Sequence, residues 1–120
     1  MRADPELVVD DAFGKLAQHA PWIHEHYAGL KSRALLDVGE GGAIPLLYKE
    51  LVIVALDILL PNEVGVELHT RKAIRAGATM PQIVEILALT SLIGGMASYA
   101  RAGHLALRAA EDELAHGPSS

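Results

Sequence analysis

Apolar side chains recur at three- and four-residue spacing along nearly the whole chain, and the breaks fall at prolines and glycines. Asp4-Pro5 reads as an N-cap followed by proline at the first helical position, and Val9, Phe13, Leu16 and Ala17 then repeat with helical period. Pro21 opens a second helix with Trp22, His26, Leu30 and Ala34 on one stripe, Trp22 being expected in the core. The glycine-rich segment Asp37-Val38-Gly39-Glu40-Gly41-Gly42 lacks the spacing and preceding strand of a phosphate loop, and reads as a plain connector. A third helix runs from Pro45 to Leu60, apolar almost all round, as a buried helix is. Its Val52-Ile53-Val54 run would suit a strand, but the segment is long for one and no partner strand follows. Asn62 caps a fourth helix that Gly77 ends. Thr79 and Gln82 form a capping box for a fifth, which runs to Gly94-Gly95. A sixth, from Met96 to Leu114, carries Ala97, Ala100, Gly103, Ala106 and Ala110, small residues that admit a second backbone closely, in part from another subunit. The pattern predicts an all-α domain of about six helices over residues 1–116, oligomer-forming, with 117–120 a disordered tail.

Composition narrows the setting. A chain of 120 residues has room for one core. Apolar residues make up 51% and aromatics 4%, so that core is built of Ala, Leu, Val and Ile. The net charge of −5 argues against nucleic-acid and anionic-membrane partners, which need a basic face. There is no cysteine, which excludes disulfides, zinc thiolates, iron–sulfur clusters and a thiol nucleophile. That absence, with no apolar run at Met1-Arg2-Ala3-Asp4-Pro5, leads us to expect a cytoplasmic protein. The most apolar stretch, Leu46 to Leu60, contains Lys49, Glu50 and Asp57 and is too short and too charged to cross a bilayer.

Chemistry concentrates on the third and fourth helices. Asn62, Gly65 and His69 share a face near the N-terminal end of the fourth, where glycine leaves space beside the histidine. Glu50 and Asp57, seven apart, share a face of the third. Glu50 sits among Leu46, Leu47, Leu51 and Val54, so its carboxylate needs a partner or a proton. Glu50 and His69 lie at similar depth either side of the turn at Pro61, so a pair across a helical hairpin is feasible, with histidine as general acid/base and glutamate as orienter. The same pair could be a purely structural ion pair. Tyr48, two before Glu50, is a candidate pocket residue, as are Tyr27 and Tyr99. His24-Glu25-His26 places two imidazoles on opposite sides of a helix, so no metal site is expected there, and no cofactor is expected either. His104 reads as exposed, Glu67 as pointing away from the site, and Glu111-Asp112-Glu113 as a solvated charge run. Arg71, Lys72 and Arg75 suit the negative end of the fourth helix.

Four stretches carry a family resemblance: Tyr48-Lys49-Glu50-Leu51, Asn62 to His69 (NEVGVELH), Lys72 to Thr79 (KAIRAGAT) and Ile83 to Leu87 (IVEIL). Together they resemble the carboxymuconolactone decarboxylase and alkylhydroperoxidase D-like family. The resemblance implies an all-helical fold assembling as a trimer or hexamer. It also implies that Glu50 and His69 are the family's glutamate and histidine, and that its two cysteine positions fall on Asn62 and Gly65. An amide and a glycine cannot attack a peroxide, so peroxidase chemistry by that route has no nucleophile. Decarboxylase members carry an acidic residue four before the histidine, where this chain has Gly65, so their substrate does not carry over. The favoured expectation is a non-redox enzyme acting on a small organic acid or lactone through His69 and Glu50, with Tyr48, Asn62 and Gly65 contacting substrate. The alternatives are a catalytically silent oligomeric binding or scaffold protein and, last, a residual peroxidase borrowing a partner's thiol.

Overall fold

The computed structural model describes residues 4–116, so the expected tail at 117–120 lies outside the described residues. The chain is helical with no strand among those residues, and it divides after Leu46 into two compact units.

The first unit is a helical hairpin of α1 (Pro5–His19) and α2 (Pro21–Ala34). Asp4 caps α1 by accepting from the Glu6 N–H at 2.8 Å. The Phe13 ring stacks on Tyr27, with centroids 4.7 Å apart and planes 8° from parallel. Trp22 is not a core residue as its stripe suggested. It is 65% exposed, and α2 buries no residue. The glycine-rich segment is more than a connector. Val38–Glu40 forms a 3₁₀ turn closed by a capping box between Asp37 and Glu40. Asp37 Oδ1 also accepts from the Leu46 N–H at 3.0 Å, which fixes the entry into the next helix.

The second unit comprises α3 (Leu46–Leu59), α4 (Glu63–Arg75), α5 (Met80–Gly94), α6 (Met96–Ser98), a π-helical turn (Tyr99–Gly103) and α7 (His104–His116). Thr79 and Gln82 form the expected capping box at the start of α5. The core joins Val54 and Ile58 of α3, Val66 and Ala73 of α4, Ile83 and Leu87 of α5, and Ala102, Leu105, Ala106 and Ala110 around α7. The small residues of the last segment serve this core, whereas Ala97 and Ala100 remain exposed. The expected continuous sixth helix is instead interrupted by the π turn. There Gly103 passes so close to Leu87 and Tyr99 that an added Cβ would lie 3.2 and 3.3 Å from them.

Charge laces α4 to α7. Arg71 Nη1 donates to Asp112 Oδ2 at 2.6 Å, and Arg75 Nε donates to Glu113 Oε2 at 3.1 Å. Glu113 is buried, so the acidic run is not wholly solvated, because two arginines from α4 reach it. Nor are α3 and α5 buried all round. Val52, Leu56, Leu89, Leu92 and Ile93 are exposed, Leu92 by 78%. No helix among the described residues is long and apolar enough to cross a membrane.

The core assignment has a direct check. Ile83 is fully buried, so Ile83→Ala should lower the unfolding free energy by about 2–5 kcal/mol in a denaturant titration. A cost below about 1 kcal/mol would place that side chain outside the core.

Candidate functional site

The α3–α4 turn sets the site. Leu60–Pro61 is a cis peptide, and the Asn62 N–H returns to the Asp57 carbonyl at 2.7 Å. Asn62 then caps α4, its Oδ1 accepting from the Gly65 N–H at 3.2 Å. With the turn held this way, Glu50 of α3 meets His69 of α4, and Glu50 Oε2 lies 2.7 Å from His69 Nδ1. Glu50 is 3% exposed and the His69 side chain 18%.

A carboxylate buried this deeply needs a charge-assisted partner, and the imidazole supplies it. An ionised carboxylate has no hydrogen to give, so in the charge-paired form the imidazole Nδ1–H donates and Glu50 accepts. Engaging Nδ1 leaves Nε2 as the nitrogen free to take up or release a proton. A fixed ring with one free nitrogen is the working unit of general acid–base chemistry.

The space expected beside His69 at Gly65 is occupied. A Cβ built on Gly65 would collide with Asp57 Oδ2 and lie 2.8 Å from Asp57 Cγ and 2.6 Å from Asn62 Nδ2. The carboxyl group of Asp57 therefore stands where a side chain at position 65 would begin. Asn62 Nδ2 reaches Asp57 Oδ1 across 3.5 Å. Asp57 is 8% exposed, and burial pushes its pKa above the ordinary carboxylate range. The charge of His69 and the Asn62 hydrogen bond pull the other way without cancelling that effect.

The five residues singled out from the sequence divide into two groups. Glu50, Asn62, Gly65 and His69 converge with Asp57 around the turn. Tyr48 is exposed on the first turn of α3. Glu67, expected to point away from the site, is buried, because α4 packs on more than one side. His104 is partly buried, its ring meeting Tyr99 edge-on at 6.4 Å. Asp57 is the residue that sequence reasoning missed as a neighbour of His69. The signal was present in its seven-residue spacing from Glu50, read together with a glycine on the facing helix.

Residues 25–112 match the profile of the Carboxymuconolactone decarboxylase family, a span that includes every residue of this cluster. An uncharacterised protein of Cupriavidus necator is 33% identical over 87 residues, covering 72% of this chain and 74% of that protein. A crystal structure from Burkholderia xenovorans LB400, provisionally assigned as a carboxymuconolactone decarboxylase, superposes with a TM-score of 0.81 at 31% identity, covering 88% of this chain and 81% of that one. The apo structure of a carboxymuconolactone decarboxylase family protein from Legionella pneumophila gives 0.78 at 22% identity, covering 90% and 92%, and shares the fold.

The raised pKa of Asp57 fixes the sign of a pH effect. The unfolded chain loses this proton near the ordinary value of ~3.9, before the folded protein does, so Asp57 contributes most below that pH and its contribution is lost as pH rises through the folded value. The unfolding free energy of the wild type minus that of Asp57→Asn should therefore fall from about pH 3 to about pH 7 in denaturant titrations. A difference that rises over that interval would contradict the burial argument.

Proposed function

The chain belongs to the carboxymuconolactone decarboxylase family, and from that premise we propose that it is a non-redox enzyme in which His69 moves a proton and Glu50 orients and charges it. The observation that carries the reading is the 2.7 Å contact between Glu50 Oε2 and His69 Nδ1, which leaves the second ring nitrogen available. The substrate class is a small organic acid or lactone, and the reaction is a proton-transfer step such as decarboxylation or lactone isomerisation. His69 Nε2 would protonate or deprotonate the carbon or oxygen beside the reacting carbonyl, and Glu50 would stabilise the imidazolium formed in between. No thiol is available to the chain, so it has no peroxidase nucleophile of its own.

One observation favours a second reading, a catalytically silent oligomeric protein. The space beside His69 at Gly65 is filled by Asp57, and a pair as buried as Glu50 and His69 can serve structure alone. Substitution at His69 separates the two. His69→Asn keeps an N–H for Glu50 but cannot carry a proton, so it should melt close to the wild type. It should lose about 10²–10⁴-fold in turnover of whichever lactone or organic acid a substrate panel identifies. Undiminished turnover by a folded variant would end the enzymatic reading.

The reading includes self-association as a trimer or hexamer, and the absence of cysteine supports a cytoplasmic setting. What supports self-association is the apolar surface left on α3, the turn after it, α5 and α6, where Leu56, Leu60, Leu89, Leu92, Ile93 and Met96 are exposed. Light scattering on the wild type should then give a mass several times 12.8 kDa, and Leu92→Glu should lower it toward that value. A monomeric wild type would remove this part of the proposal.

A further inference from the structure

The mechanism above uses one carboxylate, yet α3 delivers two to the same place. Glu50 and Asp57 are two turns apart on one face, and both are buried. Glu50 engages His69 Nδ1 directly, while the Asp57 carboxyl stands against Gly65, one turn before His69 on the same face of α4. The position of Asp57 depends on two further residues. Gly65 contributes no side chain, and the Asp57 carboxyl occupies the volume that one would need. Asn62 joins the parts, since its Oδ1 caps α4 at Gly65 while its Nδ2 faces Asp57 Oδ1.

We propose that Asp57 is a positioning residue of the His69 site, a second acidic partner that acts through the imidazole, and that glycine stands at position 65 to seat its carboxylate there. The proposal rests on His69 being the working group, and it adds what no single pair contact supplies. A neutral imidazole beside one carboxylate becomes, beside two, a ring whose protonated form is favoured from two directions. Along α4 the charged residues next to the ring in sequence are Glu67, two before it on a different face, and Arg71 and Lys72, two and three after it. Arg71 and Arg75, further along α4, are engaged by Asp112 and Glu113 of α7.

The test reads the ring itself and needs no substrate, so it stands apart from the search for an activity. Histidine ring resonances of the full-length protein are followed against pH by NMR in the wild type, in Asp57→Asn and in Gly65→Ala. Asp57→Asn should move the His69 midpoint to lower pH by about half a unit or more. Gly65→Ala, which pushes the carboxylate aside, should move it in the same direction. An unchanged midpoint in folded Asp57→Asn overturns the proposal, and an unchanged midpoint in Gly65→Ala overturns the role given to the glycine. Should either variant fail to fold, the wild type supplies the reading. The Asp57 carboxyl ¹³C resonance should show a second, smaller step at the pH where His69 loses its proton. A single step, with none at the histidine midpoint, overturns the proposal equally.

Discussion

The contact between Glu50 and His69 constrains everything around it. A carboxylate at 3% exposure is tolerable only if a partner meets it within the same fold, so α3 and α4 must pair in the one register that brings these two side chains together. That register is enforced at the turn, where the Asn62 N–H folds back to the Asp57 carbonyl, and in the core, where Val54 and Ile58 of α3 join Val66 of α4. Helix register and the polar pair therefore share one device. The packing that buries the glutamate also fixes the imidazole and leaves one of its nitrogens uncommitted.

Around that pair the α3–α4 turn concentrates polar groups in a small volume. Asn62 caps the helix, Gly65 gives way, and Asp57 fills the gap. The resemblance places the two cysteines of redox members at positions 62 and 65, where this chain has an amide and no side chain. The space at Gly65 is not a void, since a carboxyl from the facing helix stands in it. The arginines of α4 do not take part. Arg71 and Arg75 are committed to Asp112 and Glu113, where they clamp the bundle at the far end of the helix.

The helices and their caps were legible in the sequence because they are local. Asp4, Asn62 and Thr79 announce their own hydrogen bonds, and Gly77 and Gly95 adopt the positive φ that ends a helix. The Glu50–His69 pair was legible because residue counting from a turn gives depth along two helices. Other features depended on which neighbour is present. The stripe holding Trp22 is apolar, yet the indole is exposed. Gly65 reads as empty space until the facing helix is known to bring a carboxylate. Glu113 reads as solvent-facing until Arg75 reaches it from a helix 38 residues earlier. The π turn at Tyr99–Gly103 has no signature in a pattern of small residues, since it arises from the close approach of Gly103 to Leu87 and Tyr99.

The central claim is that Glu50 holds the proton-bearing nitrogen of His69 and leaves the other one to do the work. Long-range ¹H–¹⁵N correlation spectra of the ¹⁵N-labelled protein, taken above the histidine's titration, distinguish the two nitrogens of the neutral ring directly. The account predicts the Nδ1–H form, with Nε2 bare. A neutral ring that carries its proton on Nε2 would contradict it, since Glu50 would then have no hydrogen to accept and the free nitrogen would be the wrong one.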